Sequence, residues 1–275
     1  MRNTNRLRVP HLALLAALAA LAPALAGADV FDLQLPSDDT TATENELIHR
    51  TEQRHDLAAR PGPVADVDWY RIAARPYSSY EVVIDETSGD IGPTLVLERV
   101  ANNGVTLQQA SIGVTSIGYN RTLRWENTTA GEVTHFIRVR SGGCTTTCNA
   151  TAVYRIRSFE TTGFIPRFYD HGTLRTVFSV QNPTDATVSG RLYYWHDKDA
   201  TLLTTEPFTL PAHGMVSIQP NPVLLAPCGP DMQGCTGHVT VTSNAAYGEL
   251  RAKASQIDTD PTRNESWDHE MVPVP

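Results

Sequence analysis

The chain has 275 residues, 22 Lys+Arg against 30 Asp+Glu, and a formal net charge of −8. That balance argues against a nucleic-acid partner, because phosphate contacts need clustered cations. An acidic surface instead keeps an exported protein soluble.

The N-terminus sets the compartment. Residues 1–11 carry Arg2, Arg6 and Arg8 and no acid, and LALLAALAALAPALA follows. This apolar run is too short to span a bilayer comfortably. Small residues follow at Ala24–Leu25–Ala26, with Ala26–Gly27–Ala28 as a second choice. A basic stretch, a short apolar run and small residues in that order predict a secretory signal peptide over 1–26, cleaved near Ala26 or Ala28. The remainder then carries 19 Lys+Arg against 30 Asp+Glu, or −11. It is expected in the periplasm or outside the cell, with no membrane insertion.

Beyond it, strands are expected almost throughout. Tyr80, Val82 and Ile84 alternate with Glu81, Val83 and Asp85; Leu95 and Leu97 continue in TLVLERV; ANNGV is a turn. Leu123 and Trp125 alternate with Arg124 and Glu126. His135, Ile137 and Val139 alternate with Arg138 and Arg140, and Ala152, Tyr154 and Ile156 with Arg155 and Arg157. Period two with one apolar face marks half-buried antiparallel strands. ENELIHRTEQ is the single helical candidate. A boundary falls near SFETTGFIP, and a second set of strands follows in RTVFSVQ, GRLYYWHD, EPFTL, MVSIQ, HVTVT and AYGELRAKA. The expected fold class is all-β: two antiparallel β-sandwiches, jelly-roll or immunoglobulin-like, over 30–158 and 163–275.

Residues 40–157 resemble the bacterial pre-peptidase C-terminal domain. The residues that carry the resemblance are ENELIHRTEQRHDLA, ADVDWYRIAA, SSYEVVID, GPTLVLERVANNGVTL, THFIRVRS and TAVYRIR. The resemblance implies a small jelly-roll-like sandwich. In that family the domain usually trails a secreted peptidase, whereas here it comes first, which counts against a peptidase-linked role. It also implies that Asp66 and Asp68 order the turn before a core strand containing Trp69 and Tyr70, since Asp side chains bond nearby backbone N–H groups. The alternative is calcium, which related collagen-binding domains gather with an acidic segment before the first strand. Asp38, Asp39, Glu44, Asn45, Glu46, Asp66 and Asp68 are the oxygen donors on offer. Calcium takes six to eight such oxygens.

Catalytic signatures are missing from the sequence: there is no G-x-S-x-G elbow and no H-E-x-x-H. Glu46, His49, His55 and Asp56 form the best His/acid grouping, and a solvated polar segment is the plainer reading of it. Tyr193 and Trp195 share one strand face; they form either an exposed aromatic platform or core packing. The functional expectation is a non-catalytic binding or adhesion protein for a protein or glycan, not an enzyme. A secreted hydrolase or peptidase accessory with a dispersed loop site is the first alternative. A structural component of an extracellular assembly is the second.

Four cysteines fall in two close pairs, Cys144 with Cys148 and Cys228 with Cys235. In an exported chain the first reading is two local disulfides. A four-cysteine zinc site usually has two to four residues within each pair, and GPDMQG puts six in the second. Peptide mapping without reduction should recover Cys144–Cys148 and Cys228–Cys235; cross-paired peptides or alkylated thiols would contradict this.

Overall fold

The computed structural model describes residues 30–31, 35–57, 66–85, 87–88, 94–111, 120–142, 148, 151–170, 172–220, 235–263 and 265–273. The signal segment, Cys144 and Cys228 lie outside them. The chain is all-β with antiparallel sheets in sandwich-like units.

The first unit contains β1 (Glu52–Asp56), β2 (Val67–Ala74), β3 (Ser78–Asp85), β4 (Leu95–Val100), β5 (Leu107–Ser111), β6 (Arg121–Asn127), β7 (Val133–Ser141) and β8 (Val153–Glu160). Pairing is nested: β1 with β8, β2 with β7, β3 with β6 and β4 with β5, all antiparallel. One long ribbon folded over in this way gives two four-stranded sheets, β1-β8-β3-β6 and β2-β7-β4-β5. This is the double-sheet, eight-strand jelly roll. The alternation read from the sequence supplies its interior: Tyr70, Ile72, Val82, Ile84, Leu95, Leu97, Leu123, Ile137, Val139, Tyr154 and Ile156 share one core.

The second unit contains β9 (Gly163–Asp170), β10 (Leu174–Gln181), β11 (Val188–His196), β12 (Leu202–Leu210), β13 (Met215–Ile218), β14 (Cys235–Ser243), β15 (Arg251–Asp258), β16 (Ser266–Glu270) and β17 (Val272–Pro273). Its sheets are β13-β10-β15-β16 and β12-β11-β14-β9-β17. They enclose a separate core built on Phe168, Phe178, Leu192, Tyr194, Val239 and Val241. No strand belongs to both units, and Thr161 and Thr162 connect β8 to β9.

ENELIHRTEQ is not helical, and no helix occurs among the described residues. Its backbone is satisfied by strands instead. Leu47 N–H donates to the Arg71 carbonyl at 3.0 Å, and Arg50 N–H to that of Ser158 at 2.8 Å. Leu47 is buried, and an extended segment puts it into the sandwich while Glu44 and Glu46 stay exposed.

Two turns share one device. Asn127 Oδ1 accepts from both the N–H and the hydroxyl of Thr129, while Nδ2 donates to the carbonyls of Ala74, Arg75 and Gly131. Asn182 repeats this with Thr184, Ala186 and Pro211. Each Asn side chain is buried and substitutes for missing backbone partners at a loop crossing.

The outer face of the first unit carries ion pairs across strands. Glu98 lies opposite Arg138 and bonds it at 2.6 Å and Arg140 at 3.0 Å. Burial raises the Glu98 pKa, but the bonds from Arg140 and Arg138 outweigh it and hold the carboxyl low.

Nearby, His135 is buried, with its ring edge on Trp125 at 5.7 Å. Burial, and then repulsion from Arg99, hold its pKa down to about 4 from the ordinary 6.5. Below pH 6.5 the unfolded chain therefore takes a proton that the folded chain refuses. The contribution of neutral His135 is complete above that pH and is lost as pH falls towards 4, by about 2–3 kcal/mol. Urea unfolding of wild type and His135→Gln at pH 7 and pH 4.5 should show wild type losing more stability on acidification. Equal losses would contradict the buried neutral histidine.

Candidate functional site

Where the β1–β8 edge of one sheet faces β2 of the other, the core becomes polar. Asp68 and Tyr70 point inward from β2, two residues apart. His55 of β1 is the register partner of Tyr154 of β8. Asp38 arrives from the segment before β1, because its carbonyl accepts the Trp69 N–H at 2.6 Å. All five side chains are buried: Asp38, His55 and Asp68 at 1% exposure, Tyr70 and Tyr154 at 0%.

The contacts are specific. The Tyr154 hydroxyl donates to Asp68 Oδ2, and the Tyr70 and Tyr154 hydroxyls lie 2.6 Å apart. His55 Nδ1 is 3.5 Å from Asp38 Oδ2. The His55 ring stacks on Phe31 at 4.3 Å and on Tyr154 at 5.7 Å, and meets Tyr70 edge-on at 5.0 Å. Burial first, then the Asp68 charge, push the Tyr154 pKa well above its ordinary value. Tyr154 thus remains a hydroxyl donor. One ligand atom from each of Asp38, His55 and Asp68 lies within 4.8 Å of the other two.

The seven oxygen donors considered for calcium are not brought together as one set. Asp38 and Asp68 meet. Asp66 Oδ1 instead accepts the Val67 N–H at 3.0 Å. Asp39 accepts from the Ser37 hydroxyl at 2.8 Å. Glu44 and Glu46 are exposed, and the Asn45 carbonyl is engaged by the Arg71 N–H. Alternation along an extended segment turns neighbouring acids to opposite sides.

The two histidines also separate. His55 is in the core, whereas His49 Nδ1 accepts the Glu160 N–H at 2.8 Å and its ring meets Tyr247 edge-on at 5.5 Å. Sequence reading missed His55, Tyr70 and Tyr154 as companions of Asp68. The available signal was alternation: Tyr154 has the inward parity of Ile156, and Tyr70 that of Asp68.

The Tyr193/Trp195 face is not an open platform. Tyr193 is 1% exposed and lies outside the core of its own unit. Its ring packs on Tyr77 of the first unit at 5.0 Å, and Trp195 meets the same ring at 5.4 Å. Around them Thr242 donates to Glu126 at 3.0 Å, the Tyr247 N–H to Glu81 at 3.0 Å, and Phe159 stacks on Tyr247 at 5.2 Å. These residues form the junction between the units. Burial raises the Glu126 pKa, with Thr242 and Arg191 opposing it. Cys148 and Cys235 are buried, and neither is a free thiol.

The second unit carries an open groove of about 470 Å³ on the outer face of β13-β10-β15-β16. Two rows of side chains cross it. Met215 pairs with Gln181 and Gln181 with Arg251; Ser179 pairs with Lys253 and Lys253 with Glu270. Ala252 and Met271 complete the lining.

No family model and no curated protein matches the chain. Among solved structures, the pre-peptidase C-terminal domain of a collagenase from Bacillus anthracis aligns over 42% of this chain and 92% of that domain, at 9% identity and a TM-score of 0.30. A fucolectin from striped bass (Morone saxatilis) serum aligns over 81% of this chain and 85% of that one, at 11% identity and a TM-score of 0.23. Both are weak structural resemblances.

Tyr154→Phe removes the hydroxyl that donates to buried Asp68. It should lower stability by about 1–3 kcal/mol, measured as a shift in the urea midpoint at unchanged slope. An unchanged midpoint would show that this hydroxyl is dispensable to the cluster.

Proposed function

We propose that this chain is an exported, non-catalytic binding protein whose second unit holds a glycan strand in the groove on β13-β10-β15-β16. The observation that carries this reading is the groove's lining. Gln181, Ser179 and Glu270 offer hydrogen-bond donors and acceptors, Arg251 and Lys253 offer cations, and Met215, Ala252 and Met271 offer apolar surface. A sugar ring has hydroxyl edges and C–H faces, so it takes both kinds of contact at once.

Charge supports the choice. The chain has an acidic excess and only two lysines, Lys198 and Lys253, yet Arg251 and Lys253 stand on this face. Lys253 is already bonded to Asp268 at 3.2 Å, which leaves Arg251 as the stronger candidate for an acidic sugar. The missing nucleophile motifs favour binding over turnover. Export rests on the N-terminal segment; among the described residues no helix is long and apolar enough to cross a membrane.

The purified protein should be screened against immobilised glycans and against envelope and culture-medium fractions of the source cell. Retention of a polysaccharide is expected, weakened about tenfold or more, or ~1.4 kcal/mol, in Arg251→Ala and Gln181→Ala at unchanged melting temperature. Retention of a protein instead, or variants that bind like wild type, would overturn the glycan groove. Breakdown products in the flow-through would favour the hydrolase, and large oligomers in gel filtration the assembly component.

A further inference from the structure

We infer that Asp38, His55 and Asp68 form a buried site for a divalent transition metal of the Zn²⁺ class, not for calcium. The inference is independent of the groove and would hold if the groove bound nothing.

Geometry comes first. Zinc bonds to imidazole nitrogen and carboxylate oxygen are about 2.0–2.2 Å, so neighbouring ligand atoms in a tetrahedral site stand roughly 3.3–3.6 Å apart. His55 Nδ1 and Asp38 Oδ2 stand 3.5 Å apart. Asp68 brings an oxygen within 4.8 Å of both, which leaves a small movement to close the two edges that it shares with them.

Charge comes second. Two carboxylates at 1% exposure share this space with one imidazole. Neither Asp38 oxygen receives a hydrogen bond among the described residues. A buried carboxylate without donors is strongly unfavourable unless a cation sits beside it.

The histidine is oriented for the task. Gln53 Nε2 donates to the Glu46 carbonyl at 3.1 Å, so its Oε1 faces His55 Nε2 at 3.0 Å. Nε2 therefore carries the hydrogen, and in the neutral ring Nδ1 turns a lone pair towards Asp38. A lone pair facing a carboxylate repels it; a metal ion between them converts both into ligands. Tyr154 and Tyr70 supply the outer hydrogen bonds that orient a ligating carboxylate, as Tyr154 donates to Asp68 and Tyr70 meets Tyr154.

The donor set selects the metal. Calcium takes six to eight oxygens, and this cluster presents two carboxylates and a nitrogen. Imidazole with carboxylate suits zinc and its transition-metal neighbours. The ligands come from the segment before β1, from β1 and from β2, so a bound ion would tie that segment to both sheets.

The test is calorimetric titration of the chelator-stripped protein with Zn²⁺ and, in parallel, with Ca²⁺, together with melting curves for wild type, Asp38→Asn and His55→Gln. We expect one Zn²⁺ per chain, a raised melting temperature, no response to millimolar Ca²⁺, and affinity reduced about tenfold or more in each variant. Absence of Zn²⁺ binding to wild type would overturn the inference. Undiminished binding in both variants, or Ca²⁺ displacing Zn²⁺, would overturn it equally. Should the variants fail to fold, Co²⁺ added to wild type decides: a visible d–d band that Zn²⁺ abolishes supports the site, and no band refutes it.

Discussion

The nested pairing of the first eight strands is the constraint on which the described structure depends. β1 pairs with β8 across the 96 residues between Asp56 and Val153, and that closure makes one sandwich from a folded ribbon. It places His55 opposite Tyr154, delivers Asp68 and Tyr70 from the facing sheet, and leaves β8 running through Thr161 and Thr162 into β9 of the second unit. A strand slipped by one residue would turn every one of these side chains outward. The apolar interior of Val82, Ile84, Leu97 and Ile156 opposes such a slip, so the same burial that stabilises the jelly roll also fixes the polar cluster.

The two units are joined by side chains that would otherwise be surface. Glu81 and Glu126 project from β3 and β6, where a free sheet face would be solvated. Here Glu81 receives the Tyr247 N–H and Arg124, while Glu126 receives the Thr242 hydroxyl. Tyr193 and Tyr77 close the apolar part of the same contact. Satisfied carboxylates beside stacked rings make a junction that resists both water and sliding, because a buried polar group costs free energy unless its partners are in place. The groove on β10 and β15 belongs to the other sheet, so the junction leaves it open.

The polar cluster and the groove follow opposite physical logics. In the cluster, dehydration concentrates charge and makes a compensating cation favourable. On the groove, polar side chains remain wetted, and the proposed ligand would be held by many modest contacts. As proposed, the chain would combine a stabilising metal site, with two of its three ligands on strands, and a recognition surface on a sheet, where side-chain positions are held more firmly than on loops.

Much of the fold was legible in the sequence. Strict alternation in SSYEVVID, THFIRVRS and TAVYRIR determined strand type and which residues face inward, because a strand's side chains have period two whatever the strand packs against. Alternation says nothing about which strand lies opposite, and that is what the tertiary structure decided. Asp38, His55 and Asp68 lie seventeen and thirteen positions apart in sequence and converge only because β1 closes on β8 while the Trp69 N–H holds the Asp38 carbonyl. ENELIHRTEQ became extended because neighbouring strands satisfied its backbone. Tyr193 became a junction residue because the first unit covers a face that, in an isolated strand, would have been solvent's.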